Sequence, residues 1–280
     1  MYSENVLVSI CCITYNQASY LPDTLKGFES QEAEVSVEII IYDDFSTDNT
    51  RHLLAEYKKK SKYPVHLILP EKNSYSKGER IFPKTFKIAS GNYIALCEGD
   101  DYWTDSKKLQ KQLDFLKDHP SCSFCFHKAK KFHQDKNEYG VIYPKKISKE
   151  ILTPKDFFKI PTVPTASIVF RNKTDIRFIT HSHGDFQLYC QLLSIGNAGF
   201  LNETMAVYRV HPKGVSSGYG SKEYLENRIN ELLKEKSIVS YSVKVRREIK
   251  KILVNHISYS NLKHSQKRRK NVRRKQDKSS

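Results

Sequence analysis

Four apolar runs, Val6–Ile13, Val37–Tyr42, Val65–Leu69 and Tyr93–Cys97, recur along the first hundred residues, separated by stretches of helical periodicity. Runs this short and this continuously apolar read as strands buried on both faces, the state of a central parallel strand. The stretch after the first run opens at Ser19–Pro22 and places Leu21, Leu25 and Phe28 on one face. Proline is tolerated there because the first helical turn has no partner for its missing N–H. Phe45–Thr50 begins a second helix, with Ser46 or Thr47 as its expected N-cap, and Phe82–Ala89 forms a third, with Gly91 as its expected C-cap. The order βαβαβαβ predicts an α/β fold with a mostly parallel sheet and helices on both sides. One consequence governs function. Parallel strands joined by crossover helices end at the same edge, so residues far apart in sequence meet there.

Past Trp103 a helix is expected over Asp105–Asp118, stopped by His119-Pro120. Strands are expected at Ser123–Phe132, Val141–Tyr143, Thr165–Phe170 and Met205–Val210, and a small helix at Pro154–Phe158. Gly184-Asp185 opens an apolar helix ending near Gly196. His211–Gly220 is a Gly/Ser-rich loop, and Ser221 to Leu262 is expected to be a helical appendage. The organisation predicted is one α/β domain over 1–218, an appendage over 219–262 and a mobile tail over 263–280.

Hydrophobic residues make up 39% of the chain, enough for a sizeable core and too many for a disordered one. The absence of a long apolar run or signal peptide, with six scattered cysteines, predicts a cytoplasmic protein with reduced thiols. Net charge is +16, and residues 263–280 supply half of it, with nine Lys and Arg against one Asp. Such a tail serves solubility or attracts anionic surfaces, through peripheral contact with the inner face of a membrane rather than through nucleic acid.

Three strand ends carry the chemistry: Thr14-Tyr15-Asn16, Asp43-Asp44, and Glu98-Gly99-Asp100-Asp101. Carboxylates crowded at one edge repel one another unless a cation joins them, and hard oxygen ligands suit Mg²⁺ or Mn²⁺ shared with phosphates. A carboxylate at the second strand end can accept hydrogen bonds from a base or ribose. Gly99 allows a sharp turn after the fourth strand. Neither Gly-x-Gly-x-x-Gly nor a Walker A pattern is present, which argues against dinucleotide dehydrogenases and P-loop NTPases.

Ile13-Thr14-Tyr15-Asn16, Tyr42-Asp43-Asp44-Phe45-Ser46-Thr47-Asp48 and Cys97-Glu98-Gly99-Asp100-Asp101-Tyr102-Trp103 resemble successive motifs of GT-A glycosyltransferases of family 2. Gly184-Asp185, Leu201-Asn202-Glu203 and Tyr208-Arg209-Val210-His211 continue the likeness, which covers about residues 5–218. The resemblance implies a nucleotide-sugar donor, a UDP-sugar by preference, a divalent metal, and inverting transfer to a saccharide or lipid-linked acceptor. By the same likeness Thr14, Tyr15 and Asn16 line the nucleotide pocket, and Asp43 or Asp44 binds base and ribose. Asp100 would ligate the metal and His211 would approach the metal or diphosphate. Glu98 stands where the family usually has Asp, so its contact, whether ribose, metal or neither, stays open.

Asp185 matches the family's catalytic base. A sugar hydroxyl is a poor nucleophile, and a positioned base is worth about 10² to 10⁴ in rate. Two other classes share features of this chain. A basic binding module would make the tail primary, and a nucleotidyltransferase would use the early motifs and leave Asp185 without a role. Cys122-x-x-Cys125 is expected to hold buried strand thiols, because no second pair completes a zinc site. His181 and His183 flank the Asp185 loop. Tyr102 and Trp103 could form a sugar platform or simply pack at a helix start. Lys77, Arg80 and Lys84 are read as a solvated face near the nucleotide.

Overall fold

The computed structural model describes residues 7–160, 162–172, 176, 184–212, 214, 243–249 and 251. The first half runs β1 (Leu7–Thr14), α1 (Leu21–Glu29), β2 (Ser36–Asp43), α2 (Thr50–Lys60), β3 (Val65–Ile68), α3 (Phe82–Phe86), β4 (Tyr93–Glu98), β5 (Tyr102–Trp103) and α4 (Lys108–Asp118). There follow β6 (Cys122–His133), β7 (Glu138–Tyr143), β8 (Ile151–Leu152), α5 (Pro154–Phe157), β9 (Val169–Arg171), α6 (Gly184–Ile195) and β10 (Asn197–Val210).

One sheet collects all the strands in the order β3-β2-β1-β4-β9-β6-β10-β5, with β7 added to β6 and β8 to β10. Strands β1 to β4 are parallel, as their continuous apolar runs require. The pattern turns mixed where the sequence pattern loosens: β9 is antiparallel to both β4 and β6, while β6 and β10 are parallel.

The pleat divides the apolar residues between two cores. Val8, Ile10 and Cys12 of β1 face a core with Phe28 of α1, Leu54 of α2 and Leu109, Leu113 and Leu116 of α4. Cys11 of β1 and Ile94 and Leu96 of β4 face the opposite core, with Phe157 of α5 and Leu188 and Leu192 of α6. Each such side chain contributes about 1.5–3 kcal/mol on burial. Residues 243–249 are helical, and their Val245 and Ile249 are buried in this second core. The rest of the appendage, the basic tail, and His181 and His183 lie outside the described residues.

Several local expectations are corrected. The α2 N-cap is Asn49 and neither Ser46 nor Thr47, because Ser46 is bound to Asp43 and Thr47 to Asn16. Gly91 does not cap α3, whose C-cap is Lys87. Instead it lies against β1, where a Cβ would sit 2.6 Å from the Ser9 nitrogen. The segment expected as a strand over Thr165–Phe170 opens as a 3₁₀ turn, Thr165–Ser167, before β9. β10 starts at Asn197, eight residues before the expected Met205, and absorbs register shifts near Leu201 and Thr204. Those irregularities hide its period of two in the sequence.

Candidate active site at the carboxyl edge of the sheet

The registers place the three strand ends side by side. Thr14 pairs with Asp43, and Ile13 pairs with Glu98, so β1 lies between the two acidic ends. The loops after β1 and β2 are interlocked. Asn16 adopts a left-handed conformation at φ 51°, and its Oδ1 accepts the Thr47 N–H at 2.7 Å. Its own N–H donates to Ser46 Oγ at 2.8 Å. Asparagine tolerates this backbone region better than most residues. Tyr15 is left half exposed beside the edge.

Asp43 and Asp44 are both buried and both already engaged. Asp43 accepts the Ser46 N–H at 3.0 Å and Arg51 Nε–H at 2.5 Å, along with the Ser46 hydroxyl. Asp44 accepts the N–H groups of Ser74 and Tyr75 at 2.6 and 3.0 Å, which ties the loop after β3 over the edge. Lys84 is not merely solvated. It pairs with Glu79 and donates to Ser74 Oγ at 2.9 Å, fastening the same loop.

The turn after β4 is a knot of carboxylates. Gly99 N–H donates to the Ile13 carbonyl at 2.9 Å. A Cβ at Gly99 would approach Gln17 Oε1 to 2.7 Å and Thr14 Oγ1 to 2.9 Å, so close approach is what demands glycine here. Thr24 Oγ holds the turn from below by hydrogen bonding to the carbonyls of Gly99 and Asp101. Asp100 Oδ2 lies 2.9 Å from His211 Nε2, and the His211 ring is buried against Tyr20 at 4.4 Å between centroids. Its Nδ1 is buried with no hydrogen-bond partner among the described residues. Shielding from solvent, followed by the Asp100 and Asp185 charges, pushes Glu98 up to about 8. The Asp185 charge is the smallest of the three influences on Glu98, felt although 85 residues separate Asp100 from Asp185. Asp185 lies in the first turn of α6, where the helix N-terminus favours a negative charge.

Asp101 departs from expectation. It is buried and turned inward, where its Oδ1 accepts the Arg209 N–H at 2.9 Å. Burial and then the Asp100 and Glu98 charges raise its pKa well above the usual carboxylate range. Arg209, assigned no role by the sequence motif that contains it, is the residue that braces this turn. Its guanidinium donates to the Asp100 carbonyl at 2.9 Å, to Gln134 Oε1 at 2.6 Å and to Asp23 at 2.7 Å. The rings of Tyr20 and Tyr102 each lie about 5.1 Å from it. It thereby joins the end of β10, which carries His211, to the turn that carries Asp100. The signal was available: residues two apart on a strand share a face.

Trp103 is no platform for a ligand. It is buried, its Nε1–H donates to the Ala166 carbonyl at 2.8 Å, and its ring meets Phe28 edge-on. Cys122 and Cys125 are buried free thiols, as are the other four cysteines. Among the described residues no group of three or more His, Cys, Asp and Glu side chains is arranged to hold a metal ion alone.

The chain as a whole resembles proteins already known. The chain is 36% identical over 215 residues to uncharacterized proteins of Mycobacterium bovis and Mycobacterium tuberculosis, an alignment covering 74% of this chain. It spans about 60% of their length. It is 32% identical over 220 residues to the putative teichuronic acid biosynthesis glycosyltransferase TuaG of Bacillus subtilis, covering 75% of this chain and 82% of TuaG. The fold superposes on that of S. aureus TarS 1-349, solved in complex with UDP-GlcNAc, with a TM-score of 0.67 at 21% identity. That match covers 89% of this chain and 71% of the other, and shows a GT-A α/β fold. A sequence profile matches residues 9–177, so the chain belongs to glycosyl transferase family 2.

Proposed function

We propose that the chain transfers a sugar from a UDP-sugar to a hydroxyl of a saccharide or lipid-linked saccharide, with inversion at the anomeric carbon. The observation that carries this reading is the Asp100–His211 contact at 2.9 Å at the sheet edge where Glu98 ends its strand beside β1. The UDP preference is supported by the fold shared with TarS, which was solved with UDP-GlcNAc.

The nucleotide enters beside Thr14, Tyr15 and Asn16. The exposed Tyr15 ring offers a stacking face, and lone pairs remaining on Asp43 or Asp44 accept from base or ribose. The residues present fit a divalent cation. Asp100 and His211 converge at 2.9 Å and would hold a Mg²⁺ or Mn²⁺ ion together with the donor's diphosphate. When bound, such an ion supplies Lewis-acid stabilisation of the departing diphosphate. Glu98 lines the same cleft, close enough to affect that charge. Asp185 accepts the proton of the acceptor hydroxyl as it attacks the anomeric carbon from the side opposite the diphosphate. That geometry inverts the configuration. Arg209 acts through position only, holding the strand of His211 to the turn of Asp100.

The test is a panel of UDP-sugars with Mn²⁺, scored by release of UDP and by the anomeric configuration of the product. Asp185→Asn is expected to lower kcat about 100-fold or more while leaving UDP affinity near wild type. Asp100→Ala is expected to lose Mn²⁺-dependent turnover. Wild-type rates in both variants reject the reading.

A further inference from the structure

We propose that the β6–β7 hairpin docks on an anionic lipid bilayer and holds the carboxyl edge of the sheet at the membrane surface. Strand β7 is an addition to the main sheet, paired among the described residues with β6 only. A solvated hairpin at such a position ordinarily shows polar residues outward. This one instead exposes Tyr139 and Val141 at 50% and Ile142 at 39%.

Its charge says what covers these residues. Between positions 128 and 146 there are six lysines against the two carboxylates of Asp135 and Glu138. Lys136, Lys145 and Lys146 are exposed, and Lys130 Nζ lies 4.4 Å from the Tyr139 ring centroid. Exposed aliphatic side chains, a tyrosine and a surplus of lysine on one hairpin match the layers of an anionic bilayer. The amines meet headgroups, the aromatic ring sits at the interface, and Val141 and Ile142 reach the acyl boundary. A soluble polyanion would satisfy the lysines and leave the apolar groups bare. A second copy of the same hairpin would bring like charges together.

The location gives docking a consequence. His133 at the end of β6 pairs with Val210, the residue before His211. Gln134 N–H donates to the Val210 carbonyl at 2.9 Å, and the Tyr139 hydroxyl lies 3.2 Å from that of Tyr102, next to Asp101. Anchoring the hairpin therefore anchors the edge where the acidic cluster lies. This inference does not depend on which sugar is moved, or on transfer at all, because its test reads binding alone.

Full-length Val141→Trp protein is mixed with vesicles of phosphatidylcholine, or of phosphatidylcholine and phosphatidylglycerol in equal parts. The single native tryptophan, Trp103, is buried, so a change in emission reports the hairpin. A blue shift, with quenching by brominated lipid, is expected in the anionic vesicles and not in the neutral ones. Adding Lys145→Glu and Lys146→Glu is expected to weaken this binding about 20-fold or more, since each basic residue near the surface counts separately. Three results overturn the proposal. One is co-sedimentation with anionic vesicles while the new tryptophan stays unshifted, which would assign binding to another part of the chain. Another is no association with either vesicle. The third is the same blue shift with soluble polyphosphate, or with rising protein concentration alone, which would name a polyanion or a second copy as the occupant.

Discussion

Lys108 shows how far a single residue can depart from its ordinary chemistry. It opens α4 yet is fully buried, with Nζ 3.9 Å from the Trp103 ring centroid and no hydrogen-bond partner among the described residues. Burial lowers its pKa to about 7, against smaller opposing influences from Cys97 and Cys125. Between pH 7 and the unfolded value near 10.5, the unfolded chain binds a proton that the folded chain does not. Stability therefore rises with pH through that window and is lowest at and below pH 7. Lys108→Met removes the linkage. We expect it to stabilise the protein by on the order of 2 kcal/mol at pH 6, with the gain shrinking toward pH 10, as read by urea unfolding across that range. Nothing in the sequence marks Lys108 as buried. It sits among Lys107 and Lys111 in a stretch that reads as solvated, and only the packing of α4 on β6 and β10 separates it from them.

At the scale of elements, the parallel half of the sheet was legible because β1, β2 and β4 bury both faces and cannot alternate. The antiparallel half was less so. β10 was recognised only over its second part, since residues 201–206 shift register against β6. The two-residue strands β5 and β8 have no signature of their own and exist only because β10 offers them an edge. The position of Gly91 after α3 suggests a helix cap, whereas its lack of a side chain is needed by the strand beside it. Gly91→Ala puts a Cβ within 2.6 Å of the Ser9 nitrogen and 2.7 Å of the Leu7 carbonyl oxygen, both main-chain atoms of β1 that cannot swing aside. The expected cost is about 1–3 kcal/mol, the usual range for overpacking, measured as a lowered denaturation midpoint with an unchanged slope.

Over the whole molecule, the site is assembled from segments far apart in sequence that bring acidic groups to one edge. Glu98 and Asp100 lie at this edge within the influence of the Asp185 charge, and a ligand bearing a cation relieves their repulsion in the folded state alone. UDP with Mn²⁺ is therefore expected to raise the melting temperature, by an amount equal to about 2.7 kcal/mol at a hundred times the dissociation constant. In Asp100→Ala the Mn²⁺-dependent part of that shift is expected to vanish while any shift with UDP alone remains. Scanning calorimetry separates the two.

Sequence alone determined the order of strands and helices through β4, the edge at which Thr14, Asp43 and Glu98 emerge, and the residues most suited to ligand chemistry. Those follow from local periodicity and from the rule that parallel strands end on one side. Only the tertiary structure decided which of those residues are free to act. Asp101 was turned inward to Arg209, and Trp103 was consumed by packing. The reason is physical: a buried polar group must find a partner, and which partner it finds depends on chain segments that meet only after folding.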